Sequence, residues 1–271
     1  MLAQKQIRTF KRGRINAAQE VRRQLRIRTN LERQYFRRLD TLIRKWVGVR
    51  AGLYREYGIY EPDVATRALL EELEPITLQH YRRVFRTIIR SNNEVYDRAV
   101  KDDDILILGR LHDFEGMVTT YFMSRRLLLT GLSDRMSTRI SNIIRKGRAD
   151  EMTLPQISKK ISDDLRPVSK SRAALIARTE THNAASFANH RYHTQVKDDL
   201  GITMVKRWTA VNDGRTRSAH SLANGQTVPM DSKFNVGGSL MDYAGDPAGG
   251  ASNTVNCRCV IIYADEEDQI A

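Results

Sequence analysis

From residue 31 to residue 201 apolar side chains recur at steps of three and four, and beyond Ile202 that period is lost. This switch limits the fold more than any overall composition does. Leu31, Tyr35, Leu39, Leu42 and Trp46 set the helical spacing first and predict a helix from about Asn30 to Tyr57. Pro62 suits the first turn of a second helix, and Pro75 marks a kink or junction further along it. Helical pattern continues to residue 150, punctuated by "TGLSD" and "KGRAD". A short helix capped by Thr153, with Pro155 in its first turn, precedes a long helix from near Ser169 to Gly201. The stripe of that long helix is Ala173, Ile176, Ala177, Ala184, Phe187 and Ala188, small enough for close packing.

Past Ile202, "ITMVKRWTAV" has the β-branched and aromatic content of a strand. "ANGQTV" carries the Asn-Gly signal of a tight hairpin. A long stretch rich in Gly, Asn, Asp and Ser leads to "CRCVIIYA", read as a final strand, and "DEEDQIA" reads as an acidic, frayed end. The expected fold is mainly α with a small C-terminal α+β domain. A helical N-terminal part comes first, and a long helix then packs on a short antiparallel sheet with long loops.

Charge adds a second constraint. Residues 1–50 hold fifteen Lys and Arg against three acids, nearly all of the net +13 of the 271-residue chain. A basic stretch on a neutral body suits a partner of dense negative charge, most often nucleic acid. Residues 1–28, with few apolar side chains, read as a basic flexible arm. Its candidate contacts to double-stranded DNA, without sequence preference, are Lys5, Arg8, Lys11, Arg12, Arg14, Arg22, Arg23, Arg26 and Arg28. Asp102, Asp103 and Asp104 precede an apolar run and read as a helix cap rather than a cation site. No apolar run of about 20 residues is present, so no membrane partner is expected. Neither a signal peptide nor a disulfide framework is expected, since the chain has two cysteines. Assembly in a reducing cytoplasm is the matching expectation.

The last hundred residues carry motifs in a fixed order: "SRAALIARTETHNAASFAN", "KRWTAVNDGRTRSAH", "NGQTVP", "FNVGG", "AGDP" and "NCRC". This order resembles the Mu F-like phage head morphogenesis domain of minor head proteins, from about Leu154 to Ile262. Arg178, Thr179 and Glu180 match its helix motif, and Trp208 its strand tryptophan. Asp213, Arg215, Thr216 and His220 match its polar loop, and Gly225 its hairpin glycine. Gly245, Asp246 and Pro247 match a second loop, and Asn256, Cys257, Arg258 and Cys259 its ending. A departure lies in "VGGSLMDYAGDP", which is glycine-rich where the familiar form has proline. The resemblance implies a non-enzymatic minor capsid component of the virion. It would sit in the phage head near the portal, after assembly in the host cytoplasm. It would act in head assembly and in genome packaging or ejection. Implied partners are the portal protein and a major capsid or scaffolding protein. The chain then divides into the arm 1–28, a helical portal- or capsid-interaction region 29–150, the Mu F-like domain 151–265 and an acidic tail 266–271.

The same residues have a bottom-up reading. Arg178 and Glu180 are two apart on a helix and face different neighbours. Glu180 is expected to pair with Arg215 or Arg217, and Arg178 with Asp213 or Asp246. With Arg258 these form a polar network that anchors a loop of little apolar content. Trp208 reads as core. Cys257 and Cys259 permit plain burial, a catalytic thiol beside His220, or structural zinc with His220. Asp213, His182 or His193 would supply the fourth zinc ligand. A disulfide between them is opposed, because alternate strand residues lie about 6.6 Å apart with parallel side chains. His190 and His193 share a helix face and read as solvated. Two alternatives remain: a nuclease- or transferase-like enzyme using Glu180, Asp213, Arg215 and His220, and a zinc-stabilised nucleic-acid-binding protein.

Overall fold

The computed structural model describes residues 14–99 and 113–271. Lys5, Arg8, Lys11 and Arg12 of the expected DNA contacts, and Asp102–Asp104, lie outside them. Among the described residues the order is β1 (Arg14–Ile15), α1 (Ala17–Tyr57), α2 (Pro62–Ala99), α3 (Phe114–Ala149), α4 (Leu154–Leu200), β2 (Met204–Thr209), α5 (Ser218–Leu222), β3 (Thr227–Pro229), β4 (Phe234–Val236), β5 (Ser239–Met241), α6 (Gly250–Thr254), β6 (Val260–Asp265) and β7 (Gln269–Ile270). The expected class is what forms: mainly α, with small sheets near the C-terminus.

Two compact units are present. One comprises Glu32–Tyr81 and Gly116–Arg178 and is helical. The predicted stripe of α1 supplies Tyr35, Leu39, Ile43 and Trp46 to its core, against Leu69, Leu132, Ile140, Ile157 and Ala173. Polar atoms in this core are matched. Trp46 Nε1 donates to the Ala65 carbonyl at 3.0 Å, and Tyr35 shares a hydrogen bond with Thr77 at 2.7 Å. His80, with 5% exposure, stacks on Tyr35 at 4.0 Å.

Both internal prolines are absorbed. Pro75 lies inside α2, and Pro167 lies inside α4, which runs unbroken over 47 residues where two helices were expected. Proline removes one helical N–H and crowds the preceding turn. Apolar burial on both sides outweighs this, because Ile161, Leu165, Ala173 and Ala177 belong to one core. The start of α4 is fixed as expected at Thr153, whose N–H and hydroxyl both donate to Gln156 Oε1, at 2.7 and 2.9 Å.

The other unit comprises the described parts of Met1–Leu31, Arg82–Glu115 and Thr179–Ala271. Its main sheet is antiparallel, in the order β3-β2-β6, with Met204 opposite Asp265 and Thr209 opposite Val260. The long helix packs on this sheet where His193 stacks on Tyr263 at 4.3 Å, and on the loop after β5 where Phe187 meets Tyr243 edge-on at 6.1 Å. Gly237 and Gly238, both at positive φ, make the two-residue turn between β4 and β5. The Asn-Gly signal does not join two strands directly. Instead, α5 and its flanking loop separate β2 from β3, and Gly225 (φ +82°) turns the chain back so that its N–H meets the Trp208 carbonyl at 2.8 Å.

Both ends of the sequence differ from expectation. Helix α1 begins at Ala17, so residues 17–28 are helical rather than arm. The acidic end is not frayed: β7 pairs in parallel with β1, and Ala17 N–H donates to the Ala271 carbonyl at 2.8 Å. Sequence composition hid this partnership, because each strand is only two residues long and the two lie at opposite ends of the chain.

Candidate functional site

The motif residues converge at the end of β6. Cys257 and Cys259 are free thiols on the approach to that strand, not within it. Their alternation holds: both are buried, at 1% and 3% exposure, while Arg258 points away. Arg258 clamps the polar loop, its two terminal nitrogens donating to the Asp213 carboxylate at 2.6 and 2.5 Å. This fork holds the Asp213 carboxyl well below the usual carboxylate range, with help from the Arg215 N–H. Asp213 also accepts from Arg215 N at 3.0 Å, which closes the local turn after Asn212 (φ +52°).

The expected network forms with different partners. Arg178 reaches Glu32 at 3.3 Å, not Asp213 or Asp246, because α1 is its neighbour within the helical unit. Asp246 serves backbone instead, accepting from Asp242 N at 2.7 Å and Ala248 N at 2.9 Å. Arg215 lies 3.9 Å from Asp213 with its side chain 81% exposed, so Arg258 is the main counter-charge. Glu180 is buried. Arg217 donates to the Val255 carbonyl at 2.6 Å. Thr179 accepts from Asn256 N at 3.2 Å, tying α4 to the cysteine segment. Gly245 (φ +92°) lies so close to α4 that a Cβ would stand 2.3 Å from Asn183 Oδ1. The motif residues thus bond mostly to one another and to backbone.

His220, on α5, completes the buried group with both cysteines. Its Nδ1 is 3.2 Å from Cys259 Sγ and 3.6 Å from Cys257 Sγ, and its Nε2 is 3.3 Å from Asn253 Oδ1. Trp208 is fully buried and meets His220 edge-on at 5.7 Å. The contact between the two sulfurs lowers the Cys257 thiol well below the usual range, and the same contact with burial pushes Cys259 up. Of the candidate fourth ligands, Asp213 is committed to Arg258 and His193 to the Asn189 carbonyl and the Tyr96 hydroxyl. His193 is also buried rather than solvated, and His190 packs against Tyr243 and Tyr263. Only His182 stands beside Cys257.

Arg28 is the residue that sequence reasoning misplaced. It is 5% exposed and does not meet solvent as a DNA contact must. Its Nη1 donates to His182 Nδ1 at 3.0 Å and to the Cys259 carbonyl at 3.2 Å, and its Nη2 to Gln24 and Ser186. Burial lowers its pKa to about 10. Arg23 is likewise engaged, with Glu20 at 2.6 Å. Arg14, Arg22 and Arg26 remain exposed. A signal for Arg28 existed: Glu20, Gln24 and Arg28 continue the spacing of Leu31 and Tyr35 along one helix face. Asn253 carried no comparable signal.

Residues 135–262 match the family described as Phage Mu protein F like protein. This segment, just under half of the chain, is similar to the Mu F-like family. The Mu F-like match ends at Ile262 as expected but begins at Arg135, within α3, earlier than the expected Leu154. Two curated relatives align with the chain. NAD(+)--arginine ADP-ribosyltransferase EFV of Enterococcus faecalis (strain ATCC 700802 / V583) is 31% identical over 131 residues, covering 48% of this chain and 26% of that protein. Minor head protein GP7 of Bacillus phage SPP1 is 32% identical over 99 residues, covering 35% of this chain and 30% of that protein. The chain therefore spans about a quarter to a third of the length of the curated relatives it matches. No solved structure matches it.

Proposed function

We propose that this chain is a phage minor head protein that sits in the head near the portal, acts in head assembly and in genome packaging or ejection, and touches DNA through exposed arginines of its first helix. The observation that carries this reading is the Mu F-like match over residues 135–262, together with a relative named a minor head protein. The geometry of the motif residues supports a non-enzymatic role. Asp213 is held by Arg258, and the ring nitrogens of His220 face Asn253 and the two sulfurs, so neither is poised as a base toward solvent. Localisation in the virion and assembly in the host cytoplasm belong to the same reading.

The DNA part now rests on Arg22 and Arg26 of the first helix and on Arg14 just before it, among the described residues. Charge reversal of Arg22 and Arg26 together is expected to weaken retention on random-sequence duplex and to shallow its salt dependence by about two counterions. Unchanged retention contradicts DNA contact here. The portal part is tested by co-expression with the portal protein of the same phage: a stable complex is expected on gel filtration, and separate elution contradicts it. A second reading, arginine ADP-ribosyl transfer, draws on the Enterococcus faecalis relative. Nicotinamide release from NAD+ by the purified chain distinguishes the two, and we expect none.

A further inference from the structure

The three ligand atoms of His220, Cys257 and Cys259 all lie within 4.8 Å of one another, and all three residues are buried. Around tetrahedral zinc, with bonds of about 2.3 Å to sulfur and 2.0–2.1 Å to nitrogen, a nitrogen–sulfur edge is about 3.5 Å. The observed edges of 3.2 and 3.6 Å bracket that value. The His220 tautomer is also fixed for the purpose. Asn253 Nδ2 lies 3.3 Å from both the Val236 carbonyl and Ser239 Oγ, which turns Oδ1 toward His220 Nε2. Oδ1 can only accept, so Nε2 carries the proton and Nδ1 presents its lone pair to the sulfurs.

A second observation points the same way. His182 Nε2 and Trp208 Nε1 are buried with no nitrogen or oxygen acceptor, and only sulfur lies beside them. His182 stands beside Cys257 and Trp208 beside Cys259. Arg28 can only donate, so His182 Nδ1 accepts and its proton lies on Nε2. His182 Nε2 is thus an N–H donor rather than a ligand. Both N–H groups have only a sulfur to donate to, and a metal-bound thiolate is a stronger acceptor than a neutral thiol. A narrow cleft lined by Arg215, Thr216, Arg217 and Asn256 opens onto the three ligands, with about 10 Å³ of free space. That is room for about one water.

We propose that His220 Nδ1, Cys257 Sγ and Cys259 Sγ bind one zinc ion, with a water in the adjoining cleft as fourth ligand and the His182 and Trp208 N–H groups steadying the two thiolates. On binding, each S–H bond breaks, each sulfur keeps its electron pair for the metal, and the protons leave to solvent. Two thiolates then neutralise the divalent ion, so the buried Arg28 guanidinium faces a neutral centre. The site ties α5 to the segment before β6 and does not depend on the minor head reading.

The full chain, purified anaerobically in zinc-supplemented buffer and then dialysed, is expected to hold about one zinc per chain; below about 0.2 overturns the site. Replacement by cobalt(II) is expected to give tetrahedral d–d bands with a thiolate charge-transfer band. A spectrum of octahedral cobalt without that band also overturns it. Cys257→Ser combined with Cys259→Ser should lower zinc content at least about tenfold. The cobalt spectrum of the unmodified chain decides the matter if that variant fails to fold. Azide should shift the d–d bands through the exchangeable fourth position, and His182→Gln should retain the metal. A band pattern unmoved by azide, or zinc lost with His182, contradicts the assignment of water as the fourth ligand.

Discussion

Single residues in the sheet-bearing unit carry more than their sequence context announced. Gly245, matched in sequence only to a loop motif, combines a positive φ with direct approach to Asn183. Gly245→Ala introduces backbone strain and a contact that must displace α4 or the loop. It is expected to cost roughly 2–4 kcal/mol in denaturant titration. His190 makes a different kind of prediction. Burial first, and Lys206 and Arg191 next, lower its pKa to about 4, while Asp242 and Asp231 oppose them. Tyr263 and Tyr243 are its ring neighbours. The folded protein therefore holds His190 neutral. Its contribution to stability is fully present above the ordinary histidine pKa of about 6.5 and is lost as pH falls from there towards 4, by at most about 3 kcal/mol. His190→Gln should flatten the stability profile across that window; an unchanged profile contradicts the assignment.

At the scale of elements, the long helices were legible because their period runs over many turns, and their boundaries were not. Pro167 read as a break because proline is costly in a helix interior. The local rule lost to a core that spans both sides of it. The first three turns of α1 show the reverse failure. Their polar, basic composition read as an arm, whereas Glu20, Gln24 and Arg28 form a buried polar face in the sheet-bearing unit. Arg28 reaches Cys259, 231 positions away, and no local pattern encodes that distance. Arg28→Ala removes the donor from four acceptors at once and is expected to cost about 2–4 kcal/mol. Arg28→Lys should recover only part of it, since one ammonium does not reproduce the planar fork. Full recovery by lysine contradicts the role given to the guanidinium.

For the whole molecule, the fold class and the ordered C-terminal motifs were readable directly. The motifs are short, dense in Gly, Asp and Arg, and each fixes a local turn: Asp213 its loop, Asp246 the backbone around Pro247, Gly225 the return to β3. Which residue meets which was not readable, since Arg178 takes Glu32 and Arg258 takes Asp213. The two units are built from stretches that are not consecutive, a division that composition along the chain does not reveal. Among the described residues no helix is long and apolar enough to cross a membrane. The net charge concentrated in residues 1–50 survives as a functional clue only at positions that remain exposed, such as Arg22 and Arg26. The minor head assignment is a statement about where this chain sits in a particle. An asymmetric reconstruction of mature heads, carrying this chain fused to a small density tag, measures that directly. Tag density confined to the portal vertex is the predicted result, and heads lacking the tag, or carrying it evenly over the shell, would contradict the account.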